Sequence, residues 1–261
     1  MTSENEIILA GGNLTKVVRI GDTVRRETGT WTPMVHLLLE HLREREFDFA
    51  PEVLGIDELG REILSFIPGE TLAASPWPRW VWSDQLLEEA VWVLADYHQK
   101  VADFRPTQVE SRLGTRSLAP KQIVCHNDFA PYNCVFKDGR FIGLLDWDVV
   151  YPAEPTWDLA FFAWHWVPLY PPSEEFAWRS LEVCQRRLRA IVDLYGLDDR
   201  SNFVQRIVER IEASRSGIIT RADDGDAAFI RLRQEGHADE MQRTVDFVRT
   251  NEGLLSEALR S

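Results

Sequence analysis

Along the first 67 residues the apolar positions come in short runs. Ile7-Ile8-Leu9 is one, and it stops at Gly11-Gly12. Val17 to Ile20 and Thr23 to Arg26 flank Gly21-Asp22, a pattern that predicts two strands joined by a tight turn. After Trp31 the period lengthens. Val35, Leu38, Leu39 and Leu42 share one helical face, with Thr32 as the expected cap and Pro33 at the first helical position. Val53 to Ile56 and Glu62 to Ile67 then return to short strands around a turn at 58–61. The expected order is three strands, a helix and two strands.

Pro68-Gly69 breaks this pattern, and the small and proline-rich stretch from Ala73 to Pro78 reads as a connector. Leu86, Leu87, Ala90, Val91 and Leu94 then recur at helical spacing, with Ser83 as the expected cap. A β-like island spans Ile123 to Leu145. Further helices are expected over Trp157 to Val167, Glu174 to Tyr195, Ser201 to Ser214 and Ala238 to Leu259, with a loop at Asp223 to Asp226. The chain therefore reads as α+β. A small antiparallel β-rich lobe occupies residues 1–67 and a hinge and connector 68–78. A larger helical lobe occupies 79–261 and contains a hairpin at 123–148.

Charge and composition narrow the function. The 261 residues carry a formal net charge of −13, which argues against a nucleic-acid partner because phosphates would be repelled. The three cysteines form no Cys-x-x-Cys pair and are odd in number, which disfavours both a disulfide framework and a zinc site. A reduced, cytoplasmic protein is the expectation. The longest uncharged stretch, Leu159 to Ser173, has 15 residues with three prolines and cannot span a bilayer as a helix. The start of the chain has acidic Glu4 and Glu6 where a signal peptide would be basic.

The chemistry concentrates in Ile123-Val124-Cys125-His126-Asn127-Asp128-Phe129-Ala130-Pro131-Tyr132-Asn133. His-x-Asp is followed by Asn five positions after the Asp, the spacing of a kinase catalytic loop. There the Asp takes the proton of the acceptor hydroxyl and the Asn holds magnesium. Phe141 to Leu145 reads as a strand that delivers Asp146, with Asp148 two residues on. Magnesium takes hard oxygen ligands, and an Asn and an Asp at the open end of one hairpin can converge on a cation. Asp128 is the candidate base, and Asn133 and Asp146 are the candidate ligands. The plainer alternative, ordinary turn residues in a hairpin, does not call for this spacing. Asp148 is either a second acid at the metal or a tie for the loop.

His126 to Asn133, Gly143-Leu144-Leu145-Asp146-Trp147-Asp148, Pro155-Thr156-Trp157-Asp158-Leu159-Ala160 and Leu94-Ala95-Asp96-Tyr97-His98 together resemble the aminoglycoside phosphotransferases and their choline-kinase relatives. The resemblance implies a two-lobed protein-kinase-like fold, ATP or GTP as donor with Mg2+, and a small-molecule hydroxyl as acceptor. An aminoglycoside-like antibiotic, hence antibiotic resistance, or an amino alcohol would fit. It gives His126 a supporting role. Asp158, at the start of a helix, reads as a helix cap or a tie for the loop rather than a substrate contact. The nucleotide base would meet the backbone at Ser65, Phe66 and Ile67. Gly11-Gly12 would serve as a phosphate loop, although it lacks Gly-x-Gly-x-x-Gly.

The third strand lacks the usual phosphate-pairing Lys. Arg26, which shares a strand face with Val24, is the best substitute and Arg25 the second. Glu40 and His36 are the candidate helix partners for it, against a plain reading as solvated helix residues. His98 and His165 read as core histidines, and Cys125 and Cys134 as small buried residues. Ten tryptophans include a cluster at Trp77, Trp80 and Trp82, read chiefly as core. The alternative function is a kinase-shaped binding or immunity protein with little or no turnover. A protein kinase is disfavoured by the absence of an Ala-Pro-Glu element.

Overall fold

Short alternating segments pair edge to edge, and those of the N-terminal region do so. The computed structural model describes residues 6–9, 17–72 and 76–260, so Gly11-Gly12 lies outside the described residues. Among these, β1 (Ile7–Ile8), β2 (Val18–Ile20), β3 (Thr23–Arg26), β4 (Val53–Ile56) and β5 (Glu62–Ser65) form an antiparallel sheet in the order β1-β2-β3-β5-β4. The β3–β5 register sets Val24 opposite Leu64 and Arg26 opposite Glu62. Strand side chains alternate between faces, and Glu62 and Leu64 take the buried one.

Helix α1 (Thr32–Glu44) buries Val35, Leu38, Leu39 and Leu42, the expected face. Its start differs from expectation. The cap position belongs to Trp31, and Thr32 is already in the first turn. The Thr32 hydroxyl turns back to accept from the Gly29 N–H at 2.9 Å. In α2 (Asp84–Lys100), Ser83 caps as expected, its hydroxyl accepting from the Leu86 N–H at 3.3 Å.

Strands also lie on either side of the expected β-island at 123–145. β6 (Val109–Ser111) and β7 (Gly114–Arg116) form a small hairpin, and β8 (Ile123–Cys125) pairs with β11 (Tyr151–Ala153). Between the last two lies the hairpin of β9 (Cys134–Lys137) and β10 (Arg140–Leu144). Its two-residue turn has positive φ at both Asp138 (51°) and Gly139 (73°). That is the type I′ geometry, whose twist matches paired strands and which Asp-Gly favours. Two main-chain bonds between Glu70 and Phe136 (2.7 and 2.9 Å) tie the segment after β5 to this hairpin. The approach is so close that a Cβ on Gly69 would sit 2.4 Å from the Phe136 carbonyl oxygen.

The chain divides into two compact units, Met1–Asp158 and Leu159–Ser261, with the division inside α3 (Pro155–Trp166). The change of pattern at Pro68-Gly69 thus lies within the first unit. The second unit is helical. Helix α4 (Leu181–Tyr195) starts seven residues later than expected, because Ser180 caps it by accepting from the Val183 N–H, and Gly196 ends it at φ 77°. Helix α5 (Phe203–Asp223) runs longer than expected, and α6 (Ala227–Gln234) was not anticipated. The expected helix over 238–259 is two helices, α7 (His237–Thr250) and α8 (Glu252–Arg260), divided at Asn251. The Asn251 side-chain amide donates back to the Phe247 carbonyl at 2.8 Å, which also accepts from the Asn251 main-chain N–H at 3.2 Å. Ile207, Val208 and Ile211 of α5 and Val245 and Val248 of α7 form the centre of this unit's core. No helix among the described residues is long and apolar enough to cross a membrane.

Candidate active site

The loop from His126 to Asn133 leaves β8 and enters the hairpin. It is shaped by groups that belong to neither strand. Asp158, fully buried, accepts from the His126 N–H (2.8 Å) through Oδ2 and from the Asn127 N–H (2.8 Å) through Oδ1, and His98 Nε2 meets Oδ2 at 3.1 Å. Burial pushes the Asp158 pKa up, but the His98 bond and the surrounding donors outweigh it and hold it below the ordinary value. This is the loop-tying role expected of Asp158. His98, Cys125 and Asp158 lie together and buried, but both Asp158 oxygens are already engaged, so the group acts as a structural knot. Asn127 sits at φ 65°, a left-handed conformation that Asn tolerates. Its side-chain amide donates to the Cys125 carbonyl at 3.0 Å.

His126 has a fixed tautomer. Its Nδ1 accepts from the Asp128 N–H at 3.2 Å, so Nε2 carries the proton and donates to the Leu145 carbonyl at 3.1 Å. Burial lowers its pKa to about 4, which keeps the ring neutral. One imidazole thus joins the residue before Asp146 to the amide of Asp128, the supporting role expected of it.

The side chains at the loop's end converge on Asp128. Tyr132 donates its hydroxyl to Asp128 Oδ1 at 2.9 Å, and Asn133 donates its amide nitrogen to Oδ2 at 2.7 Å and to the main-chain carbonyl at 2.9 Å. With Nδ2 so placed, Asn133 Oδ1 is the end of the amide turned away from Asp128. Asn133 and Asp146 flank the open end of the hairpin, where Cys134 pairs with Leu144 and the Leu145 N–H donates to the Asn133 carbonyl at 2.8 Å. Asp146 itself is left-handed (φ 62°, ψ 68°), an uncommon conformation for a non-glycine residue, and its side chain is 44% exposed.

Arg26 reaches the same place from β3. It is 8% exposed and ringed by acids. Its Nε donates to Glu62 Oε1 at 2.6 Å, its Nη2 donates to Asp148 Oδ1, and its Nη1 lies 3.8 Å from Asp146 Oδ1. Burial works against the charge, but Asp148, Glu62 and Asp146 together hold the guanidinium above the ordinary arginine range. His36 of α1 meets the other Glu62 oxygen at 3.1 Å. Of the two helix residues considered, His36 enters this network while Glu40 is exposed. Asp148 pairs with Arg26, a role the sequence left open. Arg25 lies on the other strand face, 3.6 Å from Asp57.

Ser65, Phe66 and Ile67 end the sheet. The Ser65 N–H donates to Glu52 and the Phe66 N–H to Asp22, both at 2.9 Å, and the Ile67 side chain lies against Gly143. Two participants escaped the sequence reading. Tyr132 carries no motif of its own in the loop from His126 to Asn133. Glu62 was overlooked because its partner is 36 residues away. A signal did exist for Glu62: an acid alternating with Leu64 on the buried face of a strand.

An antiparallel sheet carrying one helix, followed by a hairpin that gathers an Asp, an Asn and a second Asp, is the arrangement of the protein-kinase-like phosphotransferases. Residues 77–175 match the phosphotransferase enzyme family (APH). A trifolitoxin immunity protein from Rhizobium leguminosarum bv. trifolii is 33% identical over 213 residues, covering 78% of this chain and 80% of that protein. The chain belongs to this phosphotransferase family. Among solved structures, an amicoumacin kinase in complex with AMP-PNP and Ca2+ aligns with a TM-score of 0.64 at 13% identity, over 94% of this chain and 89% of that one. A choline/ethanolamine kinase family protein from Mesorhizobium loti gives 0.52 at 16% identity, over 94% and 92%. The likeness to both is one of fold.

Proposed function

We propose that this protein transfers the γ-phosphoryl group of ATP or GTP to a hydroxyl of a small molecule, with Asp128 as base and Asn133 and Asp146 as the residues that hold magnesium. The observation that carries the reading is the placement of Asn133: its amide nitrogen is fixed on Asp128, which leaves its oxygen and the solvent-open Asp146 carboxylate at the same end of one hairpin.

The donor set suits a hard cation, being an amide oxygen and a carboxylate. Asp146, Asp148 and Glu62 bring three negative charges to one guanidinium, and the donor phosphates would add more. Magnesium bound there would offset that charge and orient the phosphate oxygens. Asp128 keeps both oxygens in hydrogen bonds from Tyr132 and Asn133, so its carboxylate is held in one orientation, ready to take the acceptor's proton as the oxygen attacks. Arg26 supplies a fixed positive charge beside Asp146 for the phosphates. Ile67 and its neighbours would meet the purine. Three buried cysteines outside any disulfide support a cytoplasmic location.

The names of the similar proteins, an immunity protein and an antibiotic kinase, favour an antibiotic or toxin hydroxyl as acceptor, with an amino alcohol as the next choice. A second reading is favoured by the same relative's name and by the engagement of Arg26 with its acids: a kinase-shaped immunity protein that binds its target with little turnover. A screen of hydroxyl compounds for magnesium- and nucleotide-dependent product separates them. A phosphorylated product lost in Asp128→Ala supports the enzyme. Protection of cells that survives in Asp128→Ala, with no product from any acceptor, supports the binder.

A further inference from the structure

Glu62 is an acid on the inward face of a strand, with a side chain 1% exposed. Removing a carboxylate and a guanidinium from water costs so much that a well-packed apolar pair at the same cross-strand position is often as stable or more so. Holding β3 to β5 therefore does not account for this pair. The pair does fix a direction. A guanidinium presents its donors in one plane, and two of its three nitrogens are assigned here: Nε to Glu62 and Nη2 to Asp148. The third, Nη1, lies 3.8 Å from Asp146 Oδ1, beyond hydrogen-bond distance, on the side of the open Asp146 carboxylate. His36 meets the second Glu62 oxygen from α1 and so prevents the carboxylate from turning about its own axis.

We propose that Glu62, buttressed by His36, is a positioning residue that aims Nη1 of Arg26 at a phosphate oxygen of the nucleotide donor. The proposal rests on the phosphotransferase reading above. In lysine-bearing kinases the strand lysine is paired by a glutamate from the helix. Here the acid sits on the neighbouring strand. The reason is geometric: an arginine Nε–H is satisfied by an acceptor lying in the guanidinium plane, and the cross-strand partner of Arg26 is Glu62. The helix then contributes a histidine to the acid rather than an acid to the cation. Nη1 is the guanidinium nitrogen with no acid within hydrogen-bond distance, so where it points matters as well as the charge.

The test is a double-mutant cycle on the full chain, read by calorimetric titration with magnesium-ATP and magnesium-GTP. Glu62→Gln should weaken nucleotide binding about 10-fold, and His36→Ala about threefold. His36→Gln, which can still donate to Glu62, should restore most of the loss. Arg26→Lys should weaken binding at least as much as Glu62→Gln. Arg26→Lys combined with Glu62→Gln should be no weaker than Arg26→Lys alone, because Glu62 acts through the guanidinium. On an acceptor once found, Glu62→Gln should raise the nucleotide KM and leave the acceptor KM unchanged, a split that general loosening of the fold would not give. If the two substitutions add, or if Glu62→Gln binds nucleotide like wild type, the assignment is overturned. If Glu62→Gln fails to fold, His36→Ala and its rescue by Gln carry the test, since both charged partners remain; wild-type affinity in His36→Ala overturns it. A wild-type chain that binds neither nucleotide at millimolar concentration overturns the phosphotransferase reading itself. Binding by the wild type with an additive cycle overturns only the role of Glu62.

Discussion

Two parts of the first unit hold their functional groups in opposite ways. Around Asp128 the work falls to main-chain amides and neutral rings. Asp158 gathers two N–H groups, neutral His126 bridges to Leu145, and Tyr132 and Asn133 clasp the carboxylate. Around Arg26 charge is set directly against charge, with Glu62, Asp148 and Asp146 about one guanidinium. A net of amide bonds fixes shape and is indifferent to a change of charge nearby. A cluster of ions fixes the bearing of one cation and shifts with any added or removed charge. Damage to the first should therefore appear as lost turnover or lost stability, and damage to the second as altered handling of nucleotide and metal.

The sharpest contrast comes from the two aspartates. Asp146→Ala should abolish product formation and weaken magnesium-dependent nucleotide binding, as followed by thermal shift with and without EDTA. Asp128→Ala should lower kcat by about 100- to 10,000-fold and leave nucleotide binding near wild type. Equal losses of nucleotide binding in both would erase the distinction between the two regions. Next in size is Asp158→Asn, which sets an amide donor against main-chain N–H groups. It should cost about 3 kcal/mol of unfolding free energy in urea titration, with any surviving folded fraction keeping nucleotide affinity.

Acidification probes the neutral net from another side. His126 has its pKa lowered to about 4 in the folded chain, against about 6.5 when unfolded. Above pH 6.5 neither state binds the proton and the difference is nil. As pH falls from 6.5 towards 4 the unfolded chain is protonated first, so stability drops, by about 3 kcal/mol for this one group. His165, buried and lowered to about 3, adds to the fall over the same range. Asp158, whose folded pKa is depressed, extends it below pH 3.8. Urea unfolding across pH 4 to 7 should show a flatter slope in His126→Gln; an unchanged slope would mean that this ring is not the group being titrated. The smallest effect is Tyr132→Phe, which removes one bond to Asp128 and should lower kcat about threefold with no change in nucleotide affinity.

The same contrast explains what could be read from the sequence. The loop around Asp128 was legible because the proposed chemistry demands fixed spacing along the chain: His126, Asp128 and Asn133 lie within eight residues, and Asp146 follows at the end of a strand. The sheet and α1 were legible from period. The ion cluster was legible only in part, because Arg26 meets Glu62 through strand register and Asp148 across 122 residues. Periodicity reports which face a residue takes, not which residue it faces. In the second unit the apolar repeat runs on past Asn251, where side-chain and main-chain bonds from Asn251 back to Phe247 mark the break. It also began before Ser180, whose cap sets the true start of α4.

The passage of Gly69 against Phe136 bears on motion. With two main-chain bonds between Glu70 and Phe136 and no room for a methyl group, the strip after Gly69 is riveted to the β9–β10 hairpin. The Phe66 amide is likewise fastened to the sheet through Asp22. The stretch between these two fastenings is Ile67-Pro68, and proline has its φ locked. The joint is short and stiff, a leaf spring rather than a tether. Gly69→Ala would push the hairpin off its rivet and lengthen the free joint.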